Sequence, residues 1–313
     1  MNEAEVISIA AKMKKYSVPT CANVPFAGLT TLGCGGTIKL VVYPKSERQL
    51  ARVIRLLTKS GVCYCVVGHG SNILASDDEF DGVAVSTNNV CGYKIRRETA
   101  VVSCGTSTLT FANALRRYGL SGGEFFACLP ASVGGAIVTN AGCYGQNVSD
   151  VLQRVTVIYK GKLKRLRADE CMLAKRDSLF KNNSDYVILS AVFKFIKSSS
   201  QEVNQNIAAM RAKKARSQPL NYRSAGCVLY HDKAAVSKLL DEMGFKGVSI
   251  GGAQVSDKHA GFVLNVDKAK SKDIYLLIRR MQSALNERYG ICAKIEVCMI
   301  NFTKDDDDIF SKR

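Results

Sequence analysis

An uncharged stretch of 25 residues, from Phe125 to Ser149 (FFACLPASVGGAIVTNAGCYGQNVS), constrains the fold of this chain more than any other feature. Charged residues make up 23% of the whole sequence, so their absence over this length is unusual. Glycines, Pro130, Asn140 and Gln146 exclude a membrane helix, which needs about 20 mainly apolar residues. Small neutral residues on a bent backbone suit either a tightly packed structural loop or a main chain that approaches a large, flat ligand. The stretch therefore predicts a buried, neutral surface.

The length and charge of the chain bound the remaining possibilities. A chain of 313 residues predicts about two domains with a sizeable core. Its 44 basic and 27 acidic residues give a net charge of +17, which favours an anionic partner such as a nucleic acid, a membrane surface or a phosphorylated small molecule.

The cysteines and the N-terminal sequence indicate the compartment. The twelve cysteines form no CxxC pair and the three histidines have no ligand spacing, so we expect reduced thiols and no metal site. The N-terminus has no apolar leader, which predicts a cytoplasmic protein without a membrane anchor.

The hydropathy pattern mixes helical and strand periods and predicts an α+β or α/β fold. Helices are expected at 3–15, from Ser46 to near Gly61, and at 111–118, 202–216, 234–243 and 273–289; strands are expected at 38–43, 62–67, 101–104, 155–159, 163–166, 186–195 and 294–300. Gly119 and Gly290 are expected to end their helices. The serine-rich segment 197–206 reads as a linker or a helix entry.

A glycine-rich loop, Gly68 to Asn72 (GHGSN), follows the predicted strand 62–67 directly. Two glycines separated by one residue let main-chain amides approach an anion. The loop is not a GxGxxG fingerprint, because Ile73 stands where the third glycine would be, and no GK[ST] follows. A candidate diphosphate cradle and a bare turn both remain open from these residues.

Five segments in order carry a family resemblance: GHGSNIL, GLSGGEFFACLPASVGGAIVTNAGCYG, KRDSLFK, SAGCVL and GGAQVSDKHAGFVLN. Together they resemble the UDP-N-acetylenolpyruvoylglucosamine reductases, from about Thr30 to Ile300. The length is similar to that of the shorter, type II members. The resemblance implies an α+β fold, with a two-subdomain FAD-binding region of the vanillyl-alcohol-oxidase/PCMH type followed by a smaller α+β substrate-binding domain.

The implied organisation has five parts. These are an N-terminal helix at 1–20, FAD-binding subdomains at 21–92 and 93–197, a substrate-binding domain at 205–301 and an acidic tail at 302–313.

The resemblance implies non-covalent FAD, NADPH as co-substrate and a UDP-sugar substrate. By matching motifs, the expected FAD-binding residues are Gly68, His69, Gly70, Ser71, Asn72, Leu129, Pro130, Ala131, Ser132, Gly134, Gly135, Ala136, Asn140, Ala141 and Gly142. Ala131 replaces the usual glycine, which matters only if this position needs a positive φ angle. His69 replaces a residue that is often small.

Three residues are expected to be catalytic. The family reaction adds a hydride and a proton across an enolpyruvyl double bond, so its site must hold anionic charge and donate a proton. Arg176 matches the family arginine that grips the substrate carboxylate, although Lys175 replaces the tyrosine that usually precedes it. Glu296 matches the family glutamate, and a continuous strand would point its side chain away from Ile295 and Val297.

The third expected catalytic residue, Cys227, stands where most members have a proton-donating serine. A thiol is a stronger acid than a hydroxyl and stays mostly protonated at pH 7, so cysteine suits this role. Without the family, the same cysteine reads as ordinary buried packing.

Two rival functions remain at this stage. One is a different FAD-dependent oxidoreductase of the same fold, acting on a hydroxy acid or an alcohol. The other is a nucleic-acid-binding protein, supported by the basic cluster of Arg211, Lys213, Lys214, Arg216 and Arg223. The favoured interpretation is a monomeric enzyme without a nucleic-acid or membrane partner.

Overall fold

The computed structural model describes residues 1–181 and 183–302, and these form two compact units. Unit 1 contains residues 1–22, 39–69 and 81–214; unit 2 contains residues 23–38, 70–80 and the described residues from 215 onward. Helices and strands are both abundant, which confirms the predicted α+β class. The five-part division expected from the sequence is finer than these two units and stays a prediction. Most of its acidic tail, residues 303–313, lies outside the described residues.

The helices begin and end largely where local sequence signals put them. They are α1 Glu3–Lys15, α2 Glu47–Lys59, α3 Thr108–Tyr118, α4 Val133–Val138, α5 Ser200–Ser217, α6 Val236–Glu242 and α7 Ser271–Tyr289. Gly119 and Gly290 end α3 and α7 in the left-handed conformation, as predicted. Ser46 caps α2 by accepting a hydrogen bond from the Gln49 N–H at 3.2 Å.

The strands are two to nine residues long, and the two longest, of eight and nine residues, lie in one sheet. They are β1 Thr20–Pro25, β2 Thr37–Val42, β3 Tyr64–Val67, β4 Ile73–Ala75, β5 Phe80–Ser86, β6 Tyr93–Arg96, β7 Thr99–Ser103, β8 Leu120–Ser121, β9 Gly142–Cys143, β10 Gln146–Asn147, β11 Leu152–Tyr159, β12 Lys162–Arg167, β13 Tyr186–Lys194, β14 Ile196–Lys197, β15 Arg223–Cys227, β16 Leu229–Tyr230, β17 Ser249–Ile250, β18 Ala253–Val255, β19 Phe262–Asn265, β20 Lys294–Ile295 and β21 Cys298–Ile300.

Unit 1 is built on an antiparallel sheet of order β12-β11-β13-β7-β6 and on most of a second sheet of order β1-β2-β5-β3. Phenylalanines fill its core: the rings of Phe111 and Phe126 lie 5.2 Å apart, and those of Phe111 and Phe193 lie 5.5 Å apart. Phe125 stacks on Phe126 at 4.2 Å. The uncharged stretch therefore begins inside the core of unit 1.

Unit 2 has an antiparallel sheet of order β15-β19-β18-β17, against which the long helix α7 packs. Ile274, Leu277, Ile278 and Met281 supply the fully buried face of this helix. Two small sheets complete the unit: β16 pairs with β20, and β21 pairs in parallel with β4.

One expectation from the sequence needs correction. The predicted strand at 294–300 is interrupted after Ile295, so Glu296 lies between β20 and β21 and strand alternation does not set its direction. Of the two alternatives for the polar segment 197–206, the helix entry is confirmed, because α5 begins at Ser200. In the described part of the chain, no helix combines the length and apolar character needed to cross a bilayer.

Candidate functional site

The first half of the GHGSN loop lies in unit 1, immediately after β3. A Cβ atom at Gly68 would lie 2.3 Å from the Ser132 hydroxyl oxygen, so the loop main chain packs directly against the start of α4. Burial lowers the pKa of His69, and a hydrogen bond to the Gly105 main chain only partly offsets this effect. Burial therefore favours the neutral form of the His69 imidazole.

The second half of the loop lies in unit 2 and also requires glycine. Gly70 has a φ of +64°, and a Cβ atom there would lie 1.9 Å from the Leu29 carbonyl oxygen. The Gly70 carbonyl accepts a hydrogen bond from the Thr31 N–H at 3.1 Å. These contacts fix the path of the main chain, because no other residue type fits at Gly70 without displacing its neighbours.

The segment Val133–Val138 forms a short helix, α4, that the sequence reading did not anticipate. Ser132 caps it by accepting a hydrogen bond from the Gly135 N–H at 3.2 Å. The Gly134 N–H donates to the Cys104 carbonyl at 2.7 Å, an approach that a side chain at Gly134 would crowd. Ala131 does not adopt a positive φ angle, so alanine is accommodated here without backbone strain.

Three hydrogen bonds tie the loop that carries Arg176 to the uncharged stretch. The Arg176 Nη2 donates to the Gly142 carbonyl at 3.1 Å. Asn140 Nδ2 donates to the Ala174 carbonyl at 2.9 Å, and the Ser178 hydroxyl donates to the Val138 carbonyl at 2.6 Å. The structure thus places Arg176 near Asn140, Ala141 and Gly142. From the sequence, Arg176 is expected to be catalytic and the other three residues are expected to bind FAD.

The main chain of this loop is strained at Arg176 itself. Arg176 has a φ of +58°, in the left-handed region that costs a non-glycine residue of this size about 1 kcal/mol or more. Its carbonyl accepts a hydrogen bond from the Lys181 Nζ at 2.9 Å. Lys175, which precedes it, is exposed. Strain that the surroundings hold in place is frequent at functional sites, and here it orients a partly buried guanidinium.

Cys227 and Glu296 lie on neighbouring segments of unit 2. Cys227 ends β15, next to a bulge in the pairing of β15 with β19, and its side chain is partly exposed. The Glu296 N–H donates to the carbonyl of Val228, the residue after Cys227, at 2.8 Å. Asn72 Nδ2 donates to the Glu296 carbonyl at 3.2 Å. Both main-chain groups of Glu296 are thereby fixed, although no strand runs through it.

Sequence reasoning missed Val228 and Ser178 as parts of this arrangement. Ser178 is buried and lies two residues after Arg176, inside the segment that carried the resemblance, so the motif itself could have indicated it. Val228 acts through its carbonyl group alone, and no side-chain pattern could have revealed it.

The expected cofactor residues fit a dinucleotide that carries a diphosphate. Glycine leaves the main chain uncovered by a side chain at Gly68, Gly70 and the exposed Gly135, and Ser71 and Ser132 add hydroxyl groups. Neither GHGSN nor the uncharged stretch contains a carboxylate that would repel phosphate. Bare main-chain amides with hydroxyl groups are a donor set that binds phosphate oxygens.

Two protein families match separate parts of the chain. One, described as an FAD binding domain, matches residues 38–167. The other, described as the C-terminal domain of UDP-N-acetylenolpyruvoylglucosamine reductase, matches residues 218–300 and includes Cys227 and Glu296.

Curated relatives and a solved structure extend the match to most of the chain. The UDP-N-acetylenolpyruvoylglucosamine reductase of Carboxydothermus hydrogenoformans is 36% identical over 287 residues, covering 91% of this chain and 95% of the relative. The protein of the same name from Clostridioides difficile is 32% identical, covering 84% and 87%. The crystal structure of UDP-N-acetylenolpyruvylglucosamine reductase from Thermus caldophilus matches with a TM-score of 0.75 at 25% identity, covering 90% of this chain and 98% of that one.

Proposed function

This chain belongs to the UDP-N-acetylenolpyruvoylglucosamine reductase family, and we propose that Arg176, Glu296 and Cys227 carry its reaction. The chain is an FAD-dependent oxidoreductase of peptidoglycan precursor synthesis. It reduces UDP-N-acetylglucosamine enolpyruvate to UDP-N-acetylmuramate, with NADPH as the reductant. The observation that carries the assignment is the 36% identity to a reductase over 91% of the chain, together with the two matched families.

Bound FAD would supply the redox chemistry, which is transfer of a hydride from NADPH to the methylene carbon of the enolpyruvyl group. The residues proposed to hold it are Gly68, Gly70, Ser71 and Ser132, through main-chain amides and hydroxyl groups, with Asn72 in the same loop. Side chains at Gly68 and Gly70 would collide with neighbouring protein atoms, so the path of this loop requires glycine at both positions.

Arg176 is proposed to bind the carboxylate of the substrate and to stabilise the negative charge that develops there when the hydride arrives. A guanidinium offers two parallel N–H donors to a carboxylate, and it stays charged at every physiological pH. The hydrogen bond of Nη2 to the Gly142 carbonyl supports this role by limiting the orientations of the guanidinium. A charge fixed before the reaction stabilises the transition state without the cost of reorganisation.

Cys227 is proposed to donate the proton that completes the reduction, from its Sγ to the carbon that bears the carboxylate. Glu296 is proposed to act on the same carboxylate together with Arg176. Support for Cys227 and Glu296 as a pair comes from unit 2 alone, where the Glu296 N–H bonds to the carbonyl next to Cys227. A proton donor must be held at a fixed position, and these main-chain bonds hold both segments.

Reconstitution with FAD tests the proposed cofactor site. The wild type is expected to turn yellow with FAD and to retain the colour through gel filtration. Gly70→Ala is expected to lose FAD, because its Cβ would collide with the Leu29 carbonyl. Gly145→Ala is the matched control: Gly145 also has a positive φ, of +85°, but a Cβ there would meet nothing within 4 Å. Equal retention of FAD by both variants would contradict the proposed cradle.

The compartment and assembly state complete the proposal. Nucleotide sugars are made and used in the cytoplasm, which supports a cytoplasmic enzyme. A monomer is proposed, and light scattering on the FAD-bound protein tests it.

A further inference from the structure

Two cysteines of the uncharged stretch meet in unit 1. Cys128 ends the short 3₁₀ turn Glu124–Cys128, and Cys143 lies in β9. The Cys143 thiol lies 3.8 Å from the carbonyl oxygen of Phe125 in that turn, and the Cys128 and Cys143 side chains are close enough for each to shift the pKa of the other. Both are free thiols, with Cys128 buried and Cys143 partly exposed. Two neighbouring thiols, each from a different segment, form a pair that can be oxidised together.

Positive charge surrounds this pair. The Lys214 ammonium donates a hydrogen bond to the Cys128 carbonyl, and the Arg211 guanidinium is near enough to act on the thiol. The hydrogen bond from Cys143, with the two cations, lowers the pKa of the Cys128 thiol to about 7 despite burial. The same hydrogen bond and burial raise the pKa of Cys143, against the opposing charges of Lys214 and Arg176. The arrangement therefore favours one thiolate beside one protonated thiol.

Cys65 and Cys171 lack this activation. Burial raises the pKa of Cys65 to about 12 and that of Cys171 to about 11. A thiol reacts with peroxide as its thiolate, so these two are poor nucleophiles at neutral pH.

We propose that Cys128 and Cys143 form a peroxide-sensitive modification site, in which Cys128 is oxidised first and Cys143 closes a disulfide. The Cys128 thiolate attacks one oxygen of hydrogen peroxide, the O–O bond breaks, and hydroxide leaves and takes up a proton, which gives a sulfenic acid and water. The Cys143 sulfur then attacks the sulfenic sulfur. The S–O bond breaks, the Cys143 proton leaves with the hydroxyl as water, and a disulfide remains. A dithiol such as dithiothreitol reverses the change by thiol–disulfide exchange.

The disulfide would act on the Arg176 loop through one residue. Gly142 precedes Cys143, and its carbonyl accepts the hydrogen bond from Arg176. A disulfide brings the two sulfurs to about 2.05 Å, closer than a thiol hydrogen bond, so one segment must move. The Cys128 segment is anchored by the fully buried Phe125 and Phe126, which leaves the β9-β10 hairpin to shift. Oxidation therefore displaces the Gly142 carbonyl from Arg176.

Peptide mass spectrometry tests the site on the FAD-bound enzyme without NADPH. Trypsin releases residues 118–154 as one peptide, because no lysine or arginine lies between Arg117 and Arg154, and Cys128 and Cys143 are its two cysteines. After treatment with hydrogen peroxide and then iodoacetamide, the wild-type peptide is expected to be two hydrogen atoms lighter and to carry no alkyl group. Dithiothreitol before iodoacetamide should restore two alkyl groups.

Two serine variants separate the steps. In Cys143→Ser, Cys128 is expected to stop at the sulfenic acid, which dimedone traps. In Cys128→Ser, Cys143 should stay reduced and take up one alkyl group after the same treatment. Two alkyl groups on the wild-type peptide after peroxide, or dimedone on Cys143 in place of Cys128, would overturn the proposal.

The expected effect on catalysis rests on the function proposed for Arg176, whereas formation of the disulfide does not depend on that function. Oxidised enzyme is expected to keep its FAD and to lose turnover, which dithiothreitol restores, while Cys128→Ser keeps its own activity through the same peroxide treatment. A disulfide that forms with turnover unchanged would overturn the link to Arg176 and leave the assigned reaction intact. Failure of the assigned reaction would instead appear as absent turnover before any peroxide is added.

Discussion

The side-chain amide of Asn72 donates a hydrogen bond to the main-chain carbonyl of Glu296 at 3.2 Å, across 224 residues of sequence. Asn72 is the last residue of the GHGSN loop. Glu296 lies between the short strands β20 and β21. The Cys298 N–H also donates to the Asn72 carbonyl at 3.0 Å. The loop proposed to bind the cofactor therefore holds the main chain of the segment that carries the proposed catalytic glutamate.

Asn72 is accordingly predicted to position Glu296. Asn72→Ala should lower the free energy of unfolding by about 1 kcal/mol, the usual value of one hydrogen bond, and slow oxidation of the reduced enzyme by substrate about tenfold. In a Glu296→Gln background the same change should have little further effect on that rate, because the carboxyl group it positions is already gone. Stopped-flow absorbance measures the rate. Additive losses in the double variant would show that Asn72 acts independently of Glu296.

Arg176 is predicted to act after the hydride has left NADPH. Arg176→Ala should leave the NADPH half-reaction nearly unchanged and slow the substrate half-reaction by about 100-fold or more, because the guanidinium stabilises charge that develops only there. Equal losses in both half-reactions would mean that Arg176 maintains a shared ligand site and not the developing charge.

The backbone strain at Arg176 provides an independent check. Arg176→Gly should be about 1 kcal/mol more stable than Arg176→Ala, because glycine adopts a φ of +58° without strain. The two variants should be equally slow in the substrate half-reaction, since both lack the guanidinium. Urea denaturation of the FAD-bound forms compares their stabilities.

Cys227 is predicted to be the proton donor. Cys227→Ser should retain useful turnover, because a hydroxyl at the same position can donate, whereas Cys227→Ala should lose on the order of 100- to 10,000-fold in the substrate half-reaction while still binding substrate. Both variants should be compared after dithiothreitol, so that oxidation at Cys128 does not contribute. Turnover of Cys227→Ala at the wild-type rate would assign the proton to water or to another side chain.

We predict that the free energy of unfolding depends on pH through two histidines, His69 and His259. Burial lowers the pKa of His69 and of His259 in the folded state, so the unfolded chain binds more protons as the pH falls towards and below about 6.5. Their neutral forms therefore contribute stability that is complete above pH 6.5 and declines on acidification. His69→Gln and His259→Gln should each flatten the fall in unfolding free energy between pH 7 and pH 5. A slope that both variants leave unchanged would contradict this assignment.

Local signals in the sequence were sufficient for much of the fold. The cap at Ser46 and the glycines at 119 and 290 act on residues within one helical turn, so a reader of the sequence can place them. The helix α4 was missed for the opposite reason. Its two consecutive glycines each cost about 1 kcal/mol in a helix, and a non-local bond from Gly134 to the Cys104 carbonyl helps to compensate.

The site shows the same division between local and non-local information. The motifs indicated Arg176, Cys227 and Glu296 individually, but the break in the strand at Glu296 depends on Val228 and Asn72, which are distant in sequence. Hydropathy likewise could not predict that residues 23–38 and 70–80 belong to the same unit as the C-terminal third. It indicates that a residue is buried, but not which segment the residue packs against.

The most direct test of the assigned reaction is an anaerobic titration of the enzyme after reduction by one equivalent of NADPH. We predict that UDP-N-acetylglucosamine enolpyruvate restores the visible absorbance of oxidised FAD within the time of one turnover and gives UDP-N-acetylmuramate in equal amount. Hydroxy acids and alcohols should leave the NADPH-reduced spectrum unchanged, and should not reduce the oxidised enzyme. Reduction of the oxidised enzyme by a hydroxy acid or an alcohol, with no response of the reduced enzyme to the UDP-sugar, would contradict the account.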